Sequence, residues 1–210
     1  MTYVGYGLIF IGAYLLGCFS SSYFLGRWFL KDDVRNYGSG NAGATNMTRV
    51  FGISYGLLAL VMDALKGVIA ALVGTWLLGP VGGYVGALGA IVGHNWPVFM
   101  KFKGGKGIAT SIGALLVLMP IPMLIIIASL VILLFITGYV SLSSILGAAS
   151  VPIYAAISGY GGTPFLVFAI LVAAMALFSH RQNIVRLIKG EEKRFTWESL
   201  KKKAGKSKQG

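Results

Sequence analysis

Acidic side chains are scarce in this chain. Six Asp and Glu stand against eighteen Lys and Arg among 210 residues, for a formal net charge of +12. Cysteine occurs once and histidine twice. The lone cysteine, Cys18, excludes an intramolecular disulfide, and its place inside an apolar run makes it a small packing residue. Without a Cys/His cluster the sequence offers no metal site, and no cofactor is expected. Charge is absent from long stretches: 11% of residues are charged, 56% are hydrophobic, and the mean hydropathy is +0.79. Apolar runs of roughly 17–25 residues match the hydrocarbon thickness of a bilayer. The chain is therefore expected to be an integral membrane protein, with one polytopic domain over residues 1–195 and a basic, flexible cytoplasmic tail over 196–210. No basic residue precedes the first run and no small-residue cleavage site is evident, so that run reads as a retained helix.

The placement of the basic residues argues for a membrane surface and against nucleic acid as partner. Four fall in 27–49, three in 101–106 and ten in 181–208, which leaves only Lys66 inside an apolar run. The connections near 79–82, 120–122 and 158–164 carry none. The positive-inside rule puts the three charged stretches in the cytoplasm. Runs over about 3–26, 53–78 and 82–99 follow, the second and third turning at Gly79-Pro80. Between 108 and 179 the crossings must be even in number, and Pro120, Pro122, Gly138 and the Gly159–Pro164 turn favour four over two. The expected fold is all-α, with seven transmembrane helices, the N-terminus outside and the C-terminus cytoplasmic. The run over 108–119 is short for about 30 Å of hydrocarbon.

Polar residues then gather on one face. Lys103-Gly104-Gly105-Lys106-Gly107 puts three glycines and two lysines in five residues, just before a run beginning at Ile108. Backbone N–H groups freed from Cβ crowding, two ammonium groups and a helix N-terminus make a phosphate cradle one reading; a glycine turn with basic membrane-side markers is the other. Gly38-Ser39-Gly40-Asn41-Ala42-Gly43-Ala44-Thr45-Asn46 followed by Arg49 offers small donors and a bidentate cation suited to an anion, although a connecting loop can share that composition. Asp63 and Lys66 lie three apart within an apolar run, as a structural ion pair or as the wall of a polar cavity. His180 and Asn183 share a helix face and suit a hydroxyl, or sit only at an interface. His94, next to Trp96 and Pro97, reads as an interface anchor. There is no Gly-x-Ser-x-Gly elbow, and neither histidine is followed five residues later by aspartate. Chemistry here must work by positioning and by electrostatics at phosphate groups.

Taken together these stretches resemble the bacterial acyl-phosphate:glycerol-3-phosphate acyltransferases, the PlsY family. The resemblance runs to about Phe195. It is carried by Ser39–Asn46 with Arg49, by Asp63-Ala64-Leu65-Lys66-Gly67, by Gly93-His94 through Phe102–Gly107, and by His180-Arg181-Gln182-Asn183-Ile184 with Arg186, Gly190 and Glu192. It implies transfer of a fatty acyl group from acyl phosphate, not from acyl-CoA, to the 1-hydroxyl of glycerol 3-phosphate. Lysophosphatidic acid and phosphate would be the products, in bacterial phospholipid synthesis at the cytoplasmic side of the inner membrane. An enzyme that forms acyl phosphate would be a functional partner. By carry-over Ser39, Arg49, His180 and Asn183 are catalytic, and Gly104, Gly105, Lys106 and Gly107 bind the phosphate of glycerol 3-phosphate. Gly40, Asn41, Thr45, Asn46, Lys66, Lys103, Ser141 and Ser144 add substrate contacts, while Asp63 and Glu192 are structural. A small-anion transporter is the rival class. It would need anion contacts on both sides, and the outer connections carry no charge.

Overall fold

The structure, a computed structural model, describes residues 2–195. The basic tail expected at 196–210 lies outside these residues. Among the described residues all regular structure is helical: α1 (Thr2–Gly17), α2 (Ser21–Phe29), α3 (Ala44–Phe51), α4 (Ile53–Asn95), α5 (Ile108–Leu118), α6 (Pro120–Thr137), α7 (Val140–Ser158), α8 (Gly162–Ser179) and α9 (Arg181–Ile188). Five helical stretches are long and apolar enough to cross a membrane, so this is an integral membrane protein.

The longest element is in fact a hairpin. Leu78 and Gly79 leave helical geometry, Gly79 with φ 68° and ψ −164°, a region open to glycine alone, and Pro80 starts the return limb. The limbs pack without side chains between them: a Cβ on Gly74 would strike the carbonyl of Gly82, and one on Gly86 the carbonyl of Ala70. Such close approach replaces the hydrophobic drive that lipid does not supply. α5 lies against the first limb through Gly67 and Gly113, and α1 against the second through Gly17 and Gly93. Ala71, Ala87, Ile91, Leu115, Met119, Phe165 and Phe168 fill the centre.

α5 spans about 16 Å at 1.5 Å per residue. Met119 breaks helical geometry (φ −149°, ψ 65°), Pro120 starts α6, and α6 runs back beside α5. Of its residues only Met123 is buried, so lipid is its main neighbour. The turns then sort to two ends. At one, Gly5 meets Leu78 and the Tyr160 hydroxyl donates to Leu118 O at 2.8 Å. At the other lie residues 30–52, 95–107, 138–144 and 180–195, which hold nearly all the described charge.

One expected run departs from expectation. The stretch over 3–26 is not one helix: α1 stops at Gly17 and Ser20 is extended (φ −92°, ψ 104°) before α2 begins. The cause is remote in sequence. The break frees the carbonyls of Gly17 and Phe19, which accept from Lys66 Nζ at 3.1 and 2.8 Å.

Candidate active site

The loop before α3 is built on Asn46, only 2% exposed. Its Oδ1 accepts from Ser39 N at 2.9 Å, and its Nδ2 donates to the carbonyls of Val34, Tyr37 and Asn41 at 3.0, 3.1 and 3.0 Å. Asn46, expected to contact substrate, lines the cleft, and its polar atoms hold the loop that presents Ser39. Gly40 is a turn residue at φ 70°. Asn41 Nδ2 reaches Gly104 O at 3.4 Å and links this loop to the glycine loop. Arg49, on α3, lines the cleft and has no hydrogen-bond or ion-pair partner among the described residues. Burial lowers its ionisation, with Glu192 opposing and Arg186 adding.

The glycine loop differs from the expected cradle in one respect. Gly104 N donates to Asn95 O at 3.2 Å and Gly105 N to His94 O at 3.1 Å, so neither N–H is available to a ligand. A Cβ on Gly104 would strike the carbonyl of His94, and one on Gly105 the His94 ring. These glycines are required for close approach to the end of α4. Among the described residues the donors without protein partners come just after them: Lys106 N, Gly107 N and the first N–H groups of α5, with Gly107 in the left-handed region at φ 78°.

Lys106 Nζ donates to Asn183 Oδ1. Asn183 Nδ2 donates to Glu192 Oε1 at 2.7 Å, and Glu192 Oε2 accepts from Arg186 Nε at 2.7 Å. Burial would raise the Glu192 carboxyl, but Arg186 and Asn183 hold it below the usual range. His180, 3% exposed, has Nδ1 at 2.8 Å from Ala176 O. A carbonyl only accepts, so Nδ1 carries the proton and Nε2 is an acceptor. Burial, helped by Lys106, pushes the imidazole down to about 4, so it is neutral at physiological pH. Ser141 and Ser143 are buried at the start of α7, and Ser144 Oγ donates to Val140 O at 2.8 Å. Beneath the glycine loop Asp63, Lys66 and His94 form a closed cluster, with Ser21 Oγ donating to Asp63 Oδ1 at 2.8 Å and the Lys66–Asp63 pair at 3.0 Å. Lys66 is 4% exposed and bonded on every side, behind the cleft and not on it. His94, read from sequence as an interface anchor, is 3% exposed within this cluster.

A cleft of about 790 Å³ joins these groups. Ser39, Asn41, Thr45, Asn46, Arg49, Asp63, Lys103–Gly107, Ser141, Ser144, His180, Asn183 and Glu192 all line it; Gly40 and Lys66 do not. Its other wall is apolar: Ile112 from α5, and Ile127, Leu130, Val131 and Leu134 from α6. The arrangement can hold small anions beside an acyl chain. The family model for glycerol-3-phosphate acyltransferase matches residues 7–190. The chain belongs to the PlsY family of glycerol-3-phosphate acyltransferases.

Among this family, a glycerol-3-phosphate acyltransferase from Thermoanaerobacter pseudethanolicus is 46% identical over 180 residues, 86% of this chain and 90% of its own. One from Clostridioides difficile is 38% identical over 201 residues, 92% of this chain and 97% of its own. A crystal structure of PlsY (YgiH), an integral membrane glycerol 3-phosphate acyltransferase, in its glycerol 3-phosphate form superposes with a TM-score of 0.89 at 36% identity, covering 94% of this chain and 100% of that one. Its lysophosphatidic acid form gives 0.84 at 35% identity, covering 93% and 98%. Sequence reasoning gave no role to Arg186, which anchors Glu192, or to the α6 wall. The i,i+6 spacing of an arginine and a glutamate after a helix end was the only local signal for the former.

Proposed function

We propose that this chain transfers a fatty acyl group from acyl phosphate to the 1-hydroxyl of glycerol 3-phosphate, releasing lysophosphatidic acid and phosphate. The observation that carries this is the two-sided cleft: unpaired or shared cations (Arg49, Lys106, Arg186) on one wall, and apolar α6 side chains on the other. An amphipathic acyl anion and a small polar anion fit it together. The hydroxyl oxygen attacks the acyl carbon, a C–O bond forms, and the bond from that carbon to the phosphate oxygen breaks. Acyl phosphate is a mixed anhydride, so no nucleophile on the protein is required. Arg49 and the donors at Lys106 and Gly107 meet the charge that develops on the departing phosphate. His180 Nε2 accepts the hydroxyl hydrogen bond and orients the attack. With its ionisation near 4 it is a weak proton acceptor, and a substrate phosphate, whose second ionisation lies at about 6, takes the proton. Asn183 holds Lys106 in place, and Ser39, Thr45, Ser141 and Ser144 surround the substrates.

Seven crossings of a bacterial inner membrane go with this reading, with the cleft on the cytoplasmic side, the N-terminus outside and the C-terminus inside. The two α4 limbs, α1, α5, α6, α7 and α8 supply them, and the basic residues cluster at the cleft end. An enzyme that forms acyl phosphate must supply the donor. The test uses purified protein in vesicles with labelled glycerol 3-phosphate and either palmitoyl phosphate or palmitoyl-CoA. Labelled lysophosphatidic acid is expected from the first donor alone. Equal turnover with both donors overturns the donor assignment, and no product with either overturns the activity. Arg49→Ala should lower kcat on the order of a hundredfold.

A further inference from the structure

His94 has no part in the steps above, yet the structure has built a site around it. It sits one residue before the end of α4 and lines the base of the cleft. Lys66 Nζ lies 2.7 Å from its Nδ1, 2.8 Å from Phe19 O, 3.0 Å from Asp63 Oδ1 and 3.1 Å from Gly17 O, and the same Asp63 oxygen lies 3.5 Å from Nδ1. A buried carboxylate and a buried ammonium three residues apart balance one another, which leaves the imidazole neutral. An ammonium only donates, and at 2.7 Å it is far nearer Nδ1 than the Asp63 oxygen at 3.5 Å, so Nδ1 accepts and the neutral ring carries its hydrogen on Nε2. That edge faces the glycine loop: a Cβ on Gly105 would fall on Nε2. Among the described residues no acceptor stands opposite Nε2, and the ring lines the cleft. A ring N–H at the edge of a cleft is free to donate to a ligand oxygen. The unpaired N–H groups of Lys106 and Gly107 belong to the same loop.

We propose that His94 Nε2–H donates to a phosphate oxygen seated at the glycine loop, with Lys66 and Asp63 as positioning residues that fix the donor tautomer. This rests on the reading of the cleft as a site for phosphate-bearing substrates. The phosphate belongs either to glycerol 3-phosphate or to the acyl phosphate, and the kinetic arms below separate these sources.

A pair of isosteres distinguishes this role from mere support of Lys66. Glutamine places its amide nitrogen near the position of Nε2, whereas asparagine reaches only the position of Nδ1. Donation to phosphate therefore predicts that His94→Gln stays within a few-fold of the parent. His94→Asn should raise KM for one substrate roughly ten- to a hundredfold, the worth of a hydrogen bond to a charged group, with kcat less affected. The substrate whose KM rises identifies the phosphate. The reverse order, with Asn retained and Gln lost, or an unchanged KM for both substrates in His94→Asn, overturns the proposal. A second measurement needs no variant: ¹⁵N-histidine NMR of the detergent-solubilised protein, titrated with inorganic phosphate and with glycerol 3-phosphate. The expected result is one histidine protonated at Nε2 and bare at Nδ1, whose Nε2 resonance moves with ligand. An active enzyme whose His94 is protonated at Nδ1, or is indifferent to both ligands, overturns this inference and leaves the activity standing. A His94 resonance that responds to phosphate in a protein making no lysophosphatidic acid supports the inference and overturns the activity.

Discussion

Lys106 and Asn183 stand 77 residues apart and are joined side chain to side chain, Nζ donating to Oδ1. Through Asn183 the lysine is tied to Glu192, and through Glu192 to Arg186. The glycine loop and the segment after α8 are thereby one unit, although neither touches the other in sequence. The cost of the arrangement falls on the lysine. It is largely withdrawn from water among Arg186 and Arg49, so its ammonium is pushed down to about 8 by burial first, with Glu192 opposing and the two arginines adding.

That value predicts an alkaline limb. Below pH 8 Lys106 is charged and attracts a phosphate; as pH rises through about 8 it loses its proton, and that attraction goes with it. KM for the substrate phosphate it meets should climb above that point, and kcat should fall with it, because the departing phosphate loses a partner for its developing charge. Arginine cannot deprotonate in this range. Lys106→Arg should therefore flatten the alkaline limb, even where its fit to Asn183 is poorer. A KM–pH profile of the two proteins checks this, and an identical limb in both would assign it elsewhere.

His180 gives a limb of opposite sense. In the unfolded chain an imidazole titrates near 6.5, and in the folded protein this one is pushed down to about 4. Between those values the unfolded state binds the extra proton. The stability contribution is thus complete above about pH 6.5 and falls as pH drops toward 4, by about 1.4 kcal/mol per pH unit at most. Thermal unfolding across that window should show a shallower slope for His180→Gln than for the parent. In turnover, no ionisation near 6.5 should vanish in that variant, because His180 stays neutral throughout.

The orientation can be tested on a Cys18→Ser background. Tyr139→Cys lies at the α6–α7 turn on the cleft side, and Thr163→Cys at the α7–α8 turn on the opposite side. A membrane-impermeant maleimide should label position 163 in intact cells, and position 139 only in inverted vesicles. The reverse pattern would turn the whole protein over. Labelling of both positions from one side would remove a crossing from α7.

Much of this architecture was legible because membranes impose simple local rules. Hydropathy marked the runs, Gly79-Pro80 and Pro120 marked two reversals, and the scatter of Lys and Arg marked one end. The four polar stretches were each visible as composition without periodicity. What stayed hidden depended on partners far along the chain. Nothing in Gly17-Cys18-Phe19-Ser20 announces a helix break, since its carbonyls are claimed by Lys66, a residue nearly fifty positions away. Asn46 looks like a ligand donor until Val34, Tyr37 and Asn41 use its amide. His94 beside Trp96 and Pro97 has the composition of an interface anchor, and only the packing of α4 on itself brings it to Lys66.

The glycine loop supplies the sharpest contrast between a turn that wraps a ligand and one that packs. If Gly104 served only to expose its N–H to phosphate, alanine there would raise KM and leave the fold intact. The geometry predicts otherwise. Its N–H is spent on Asn95 O, and a Cβ would press on the backbone carbonyls of His94 and Asn95 and on the ring of Pro97. Backbone cannot swing aside as a side chain can, so the loop must lift from the end of α4 and carry Lys106 and Gly107 with it. Gly104→Ala should lower the unfolding temperature, reduce kcat and raise KM together. Gly7 and Gly12 on α1 provide the control, because a Cβ at either meets nothing within 4 Å. Alanine there should leave turnover unchanged and stability equal or higher, by up to about 1 kcal/mol for a helix interior. Thermal unfolding and steady-state kinetics of the three variants decide the matter. A Gly104→Ala protein with parental stability and an effect confined to KM would mean that the loop wraps its phosphate with the N–H of Gly104 after all.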